Sequence, residues 1–381
     1  MPEIMKILDG ALRHDAKQAY EYAGMLAELL EQAGERGQAR RIRERLARVP
    51  IQQVSPAAKL SMHGLPVDQA SRLNTLDEYR PTKADLEVLL SDSIQKRLDE
   101  FLQSIRFHAE LDRAGVAQPS RLLLHGPPGC GKTLTASLIA AELDVPLLTV
   151  RCDTLVSSLL GQTGKNLRSV FEHAERRPCV LFLDEFDALA KRRADEREVG
   201  ELQRVVIALL QNIDALPDET VLVAATNHAE LLDPAVWRRF AFRLQLPLPN
   251  ARLRRQMWQK HLDHLAGNDI KWNLLVELSE GLSGAAIEQV AKDTLRSTII
   301  SAAAQVDEHE LLRRLGLTQA MQQQVMLSSV ADEVKWLRSW QPKLFSLRVL
   351  ERLYSLSKRQ IDNIIKGTAH AESDHSGRFS E

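Results

Sequence analysis

Gly126-Pro127-Pro128-Gly129-Cys130-Gly131-Lys132-Thr133 decides the reading of this chain. A glycine, four residues and then Gly-Lys-Thr stand between the apolar run Leu122-Leu123-Leu124 and a helical pattern from Thr133 to Leu143. The run reads as a short buried strand, so the order is strand, glycine-rich loop, helix N-terminus. That order builds a phosphate cradle. Glycines let the backbone wrap closely, and several N–H groups then point at one anion. In such a loop Lys132 reaches the β- and γ-phosphates, and the Thr133 hydroxyl holds Mg²⁺. The cradle runs from Gly126 to Thr133, with Leu134 next on the helix. Cys130 inside it reads as a small residue that fits, or as a redox switch with the lowered pKa of a helix N-terminus.

Working outward, helical patterns alternate with apolar runs at Leu122–Leu124, Leu147–Val150, Val180–Leu183, Val221–Ala224 and Leu244–Leu248. Such runs predict an α/β fold with a parallel sheet covered by helices on both faces. Ligands of open α/β sheets bind outside the carboxyl ends of the strands. The run Val180-Leu181-Phe182-Leu183 ends in Asp184-Glu185. Asp184 there can hold the Mg²⁺ shell, and Glu185 can polarise an attacking water. The run from Val221 ends in Thr226-Asn227. Asn227 is a turn residue taken alone; beside Glu185 it orients the water or the γ-phosphate. A fourth element is Leu231-Leu232-Asp233-Pro234-Ala235-Val236-Trp237-Arg238-Arg239-Phe240. An arginine presented there stabilises charge on a neighbouring subunit's γ-phosphate, or the two are a plain surface pair.

In this order and spacing the four elements resemble the AAA branch of the AAA+ ATPases, from roughly Ala84 to Ala304. The resemblance takes in Gly281-Leu282-Ser283-Gly284-Ala285-Ala286-Ile287, which looks like the family's lid signature, with Gly284 and Ala285 near the adenine. It implies a P-loop NTPase sheet followed by a small helical lid, with ATP and Mg²⁺ as cofactors. It also implies Walker A residues Lys132 and Thr133, Walker B residues Asp184 and Glu185, sensor Asn227 and arginine finger Arg239. Two departures stand out. Arg239-Phe240-Ala241-Phe242 replaces the family's Arg-Phe-Asp-Arg, so the second finger is missing from its place, with Arg238 or Arg243 as substitutes. Ala286 stands where the signature has Asp.

The resemblance further implies a homo-hexameric ring that hydrolyses ATP to remodel, unfold or thread a polypeptide substrate or partner protein. Its pore would be lined by Leu159 and Leu160, ahead of the Gly161 to Arg168 segment; packing at a helix start is the plainer reading of the two leucines. A rival is a DNA-associated motor. Leu347 to Tyr354 and Lys358 to Lys366 read as helices around the turn Ser355-Leu356-Ser357, with Ser357 as N-cap, which has the look of a helix-turn-helix. A nucleotide-switched scaffold is a third reading.

The rest of the 381 residues organise around this block. Residues 1–49 read as a helical hairpin, 50–83 as a proline-punctuated linker or strap and 84–249 as the nucleotide-binding domain. Residues 250–306 read as the lid, 307–367 as a helical extension and 368–381 as a disordered tail. Lys+Arg 50 against Asp+Glu 51 gives no overall charge with which to argue a large nucleic-acid footprint. The three cysteines Cys130, Cys152 and Cys179 lack metal-ligand spacing and suit a reducing compartment. The first residues lack the apolar segment of an export signal, and no run approaches the ~20 apolar residues of a membrane helix. The expectation is a cytoplasmic protein with no membrane partner.

Overall fold

Val180–Leu183 is buried along its whole length, and so is Val221–Thr226. Strands with no exposed face belong in the middle of a sheet covered on both sides. The computed structural model describes residues 76–150, 160–190, 199–262, 265–267 and 270–367. The chain divides into two units, Met1–Val67 and Asp68–Glu381, and the described residues belong to the second. The expected hairpin at 1–49, the tail from 368, Leu159 and Cys152 lie outside the described residues.

The elements of the sheet layer are β1 (Leu76–Tyr79), α1 (Asp92–Arg106), α2 (His108–Arg113), β2 (Arg121–His125), α3 (Lys132–Leu143), β3 (Leu147–Val150) and α4 (Leu160–Glu175). They continue as β4 (Val180–Leu183), α5 (Asp187–Ala190), α6 (Val199–Ala215), β5 (Val221–Thr226), α7 (Pro234–Trp237) and β6 (Phe242–Gln245). The strand order is β1-β3-β4-β5-β2-β6. After β2 the chain crosses to β3, then steps back through β4 and β5 to return beside β2. The carboxyl ends of β2, β4 and β5 are therefore neighbours, and they carry the glycine-rich loop, Asp184-Glu185 and Asn227. Leu122, Leu124, Val180, Phe182, Val221 and Val223 share one core with Leu98, Phe101 and Ile139 of α1 and α3. The alternate residues Leu123, Leu181, Leu183, Leu222 and Ala224 point to the opposite face and are fully buried too.

The sheet departs from the sequence expectation at both edges. β1 lies inside the stretch read as a linker, and it runs antiparallel to β3, with Leu76 opposite Val150. The other pairs are parallel. β1 escapes a periodicity reading because only Leu76 is buried, followed by three exposed residues. Its other tie is non-local: Glu78 accepts from Arg177 at 2.6 Å. β6 ends at Gln245 rather than Leu248, because Pro247 and Pro249 have no N–H to give to a ladder.

After the sheet come α8 (Ala251–Leu262), α9 (Trp272–Leu278), α10 (Gly284–Ile300), α11 (Glu308–Gln322), α12 (Val330–Trp340), α13 (Leu347–Tyr354) and α14 (Lys358–Lys366). One apolar cluster runs from Trp258 through Ile287, Leu311 and Leu337 to Leu350 and Ile361. The expected boundary between lid and extension, at 306/307, thus falls inside a single core. The buried indole of Trp258 donates to the Ser279 hydroxyl at 3.0 Å, so its polar handle is satisfied. The turn into α14 is set by a capping box between Ser357 and Gln360.

Candidate active site at the carboxyl ends of three strands

Glycine geometry shapes the cradle. Gly129 has φ +73, and its carbonyl accepts from the Ala285 N–H at 3.1 Å. A side chain there would meet Ser283 Oγ at 2.7 Å and Ala285 Cβ at 2.9 Å. The first turn of α10 therefore rests directly on the loop. Ser283 caps that helix by accepting from the Ala286 N–H. Gly284 and Ala285, expected near the nucleotide, are brought to the loop by this contact.

Lys132 is buried at the start of α3, and its ammonium donates to the Gly126 and Pro127 carbonyls at 2.8 and 2.9 Å. Burial lowers its pKa, opposed by Cys130, Asp184 and Asp187. Burial also pushes the Cys130 thiol up, against the pull of Lys132. The helix N-terminus therefore does not make Cys130 a ready thiolate, and its reading as a small loop residue gains support. Thr133 Oγ1 donates to Asp184 Oδ2 at 3.0 Å. The expected metal pair is thus in contact across 51 residues of sequence. Both donors are hard oxygens, which suit Mg²⁺ when phosphates and waters complete its shell. Among the described residues no group of three or more His, Cys, Asp or Glu side chains forms a metal cage by itself.

Glu185 follows in a left-handed conformation, φ +50, with its N–H donating to Asp184 Oδ1 at 2.9 Å. A non-glycine residue held there stores strain, which concentrates at functional positions. The strain turns the Glu185 side chain out into the cleft that the loop borders. Asn227 lines the same cleft. Its carboxamide oxygen is buried with no hydrogen-bond partner among the described residues. Beside it, Thr226 Oγ1 donates to Asp187 Oδ1 at 2.7 Å and accepts from the His228 N–H at 3.0 Å. These bonds fix the strand end that aims Asn227.

The cleft holds about 770 Å³ and extends from the loop toward Leu90, Ile94, Leu253, Met257 and His261. Its far wall includes the irregular segment 86–91, which the sequence reading did not assign to the site. Lys260 fastens that segment to α8 through the Glu87 carbonyl at 2.7 Å and the Glu87 carboxylate at 3.0 Å. No local pattern announces this pairing of residues 173 apart.

Arg239 lies apart from the cleft. Its Nε and Nη2 grip Asp214 at 3.1 and 3.0 Å, and its Nη1 donates to the Ala235 carbonyl at 2.9 Å. The Trp237 ring stands edge-on to His125 at 5.7 Å and beneath the Arg243 guanidinium at 5.4 Å. Leu160 is the first residue of α4. Among the described residues no helix is long and apolar enough to cross a membrane.

A family model described as ATPase family associated with various cellular activities (AAA) matches residues 122–248. An uncharacterized AAA family ATPase, y4kL of Sinorhizobium fredii, is 37% identical over 286 residues, which is 75% of this chain and 86% of that protein. The chain belongs to the AAA family of ATPases. ATP hydrolysis is accordingly the reaction of this chain. A proteasome-activating nucleotidase of Thermococcus onnurineus is 32% identical over 252 residues, 62% of this chain and 63% of that protein. The 26S proteasome regulatory subunit S10B homolog B of Arabidopsis thaliana is 33% identical over 189 residues, 48% of this chain and 47% of that protein. The chain spans less than two thirds of the length of these last two relatives.

Proposed function

We propose that this ATPase is a Mg²⁺-dependent, ring-forming cytoplasmic motor, a homo-hexamer by its resemblance, that remodels or threads polypeptide. The observation that carries the chemistry is the convergence of Lys132, Thr133–Asp184, Glu185 and Asn227 on one cleft. The nucleotidase and proteasome-subunit relatives support a polypeptide substrate.

In this reading the triphosphate lies along residues 126–133, and Lys132 exchanges its two carbonyl partners for β- and γ-phosphate oxygens. Thr133 and Asp184 hold Mg²⁺, which neutralises phosphate charge when bound. Glu185 takes a proton from a water in line with the γ-phosphate. Asn227, which lines the same cleft, orients that water or the γ-phosphate. A guanidinium from the α7–β6 segment of a neighbouring copy completes the site. The pore positions remain Leu159 and Leu160.

The paired helices α13 and α14 bury Leu350 and Ile361 in the helical core, which favours a structural role over a DNA-reading one. The test is Glu185→Gln with ATP, imaged by electron microscopy. A closed ring with ATP retained and turnover lost supports the reading. Turnover near wild type removes Glu185 from its role, and stimulation of the wild type by duplex DNA rather than by unfolded protein replaces the substrate class.

A further inference from the structure

The end of the cleft away from the phosphate loop is bridged by charge. Segment 86–91 forms one wall there and leads into α1, whose Leu98 and Phe101 belong to the sheet core. The opposite wall is α8, whose Trp258 and Leu262 belong to the helical core. Two ion pairs join these walls. Lys260 Nζ lies 3.0 Å from the Glu87 carboxylate and donates to the Glu87 carbonyl at 2.7 Å. Arg252 donates to Asp92 Oδ2 at 3.0 Å.

The arrangement pins the segment at both ends. Arg252 stands at the start of α8 and Lys260 near its end, about 12 Å apart along the axis. Glu87 and Asp92 bracket the residues between them. Leu253 and Met257 of α8 and Leu90 of the segment lie between the pins in sequence, and all three line the cleft. Glu288 lines it too, but it is paired with Lys292 at 2.5 Å, which leaves Lys260 to Glu87. The carboxylates of both pins face solvent, with Glu87 70% and Asp92 78% exposed. Exposed pairs are weak and are screened by salt. This join therefore parts far more readily than either core.

We propose that the two pairs form a latch over the base end of the nucleotide site, and that their parting sets the rate at which ADP leaves. Glu87, Asp92, Arg252 and Lys260 are then positioning residues: they touch no reacting atom and act by holding the wall closed. The inference rests on the reading above that the nucleotide occupies this cleft, with its phosphates along 126–133 and its base toward Leu90, Leu253 and Met257.

The experiment uses the full chain as wild type, E87Q, D92N, the double variant and K132A. ADP carrying a ribose-linked fluorophore is loaded with Mg²⁺ and chased with excess ATP. Its release is followed by stopped flow from about 0.05 to 0.5 M salt, and thermal unfolding is recorded alongside. We expect E87Q and D92N each to speed release by about 2–5-fold at low salt, and the double variant by about tenfold, with Tm held. We expect these excesses over wild type to vanish at high salt, where the wild-type pairs are already screened. A merely structural loss would persist at high salt and lower Tm. Release at the wild-type rate in the double variant, or an acceleration that salt leaves unchanged, overturns the latch. Wild type that retains no labelled ADP, or K132A that retains it as firmly as wild type, overturns the reading of the cleft as the nucleotide site and the latch with it.

Discussion

Replacing Gly129 by alanine tests whether the lid truly rests on the phosphate loop. The new methyl lands 2.7 Å from Ser283 Oγ and 2.9 Å from Ala285 Cβ, in a residue held at φ +73. The left-handed backbone alone costs about 1–2 kcal/mol for an L-residue. Displacing the α10 terminus also forfeits the Ala285-to-Gly129 hydrogen bond, worth about 1 kcal/mol, and overpacks the contact by about 1–3 kcal/mol. Gly131 supplies the control. It has φ +88 with nothing within 4 Å of an added Cβ, so Gly131→Ala bears only the backbone cost. The two variants should therefore differ in unfolding free energy by about 2–4 kcal/mol, with Gly129→Ala the weaker. Urea unfolding followed by tryptophan fluorescence measures this, and titration with a fluorescent ATP analogue should show the same order in affinity. Equal stability of the two variants would refute the contact and with it the seating of the lid.

Other consequences are equally direct. Lys132→Ala should weaken nucleotide binding in a titration calorimeter while leaving the fold intact, since its partners are loop carbonyls that water can serve. Ile361→Ala should destabilise by about 2–5 kcal/mol; because Ile361 shares a core with Trp258 and Ile287, one cooperative transition should shift, and a separate early unfolding of α13–α14 would contradict the single core. The Glu142 carboxyl is held below its ordinary value of 4.5, chiefly by its hydrogen bond from Lys83, with Arg106 adding to it. Its folded-state pKa is depressed, so the stabilisation is present above pH 4.5 and is lost as pH falls from there through the lower folded value. The stability difference between wild type and Glu142→Gln should shrink over that acid range. Cys179 is buried and its pKa is pushed up to about 12; iodoacetamide at pH 8 should label it only after denaturant is added, as read by peptide mapping.

The sequence exposes what repeats locally and hides what closes over distance. Four apolar runs announced the interior strands β2 to β5, because residues buried on both faces leave few polar positions; the fifth only overlaps β6, which exposes Arg243 and Gln245. Leu347–Tyr354 and Lys358–Lys366 were legible to the residue, since the Ser357 capping box and the turn before it are local chemistry. The positions of Asp184 and Glu185 were legible because they follow a strand, and that of Thr133 because it opens the helix after the glycine-rich loop. β1 was not, having one buried residue and a partner, Arg177, 99 positions away. Nor was the wall at 86–91, which is tied to α8 by the remote Lys260. Arg239 shows a third case: its residue type and spacing were readable, while Asp214, which decides what the guanidinium is free to do, lies 25 residues upstream in another helix.

The unbroken apolar interior from Trp258 to Ile361 has a mechanical corollary. Seven helices that share one interior are held as one body, and the first turn of α10 joins that body to the loop at Gly129. Any displacement of α10 is then shared by α13 and α14, whose Leu350 and Ile361 sit in the same interior.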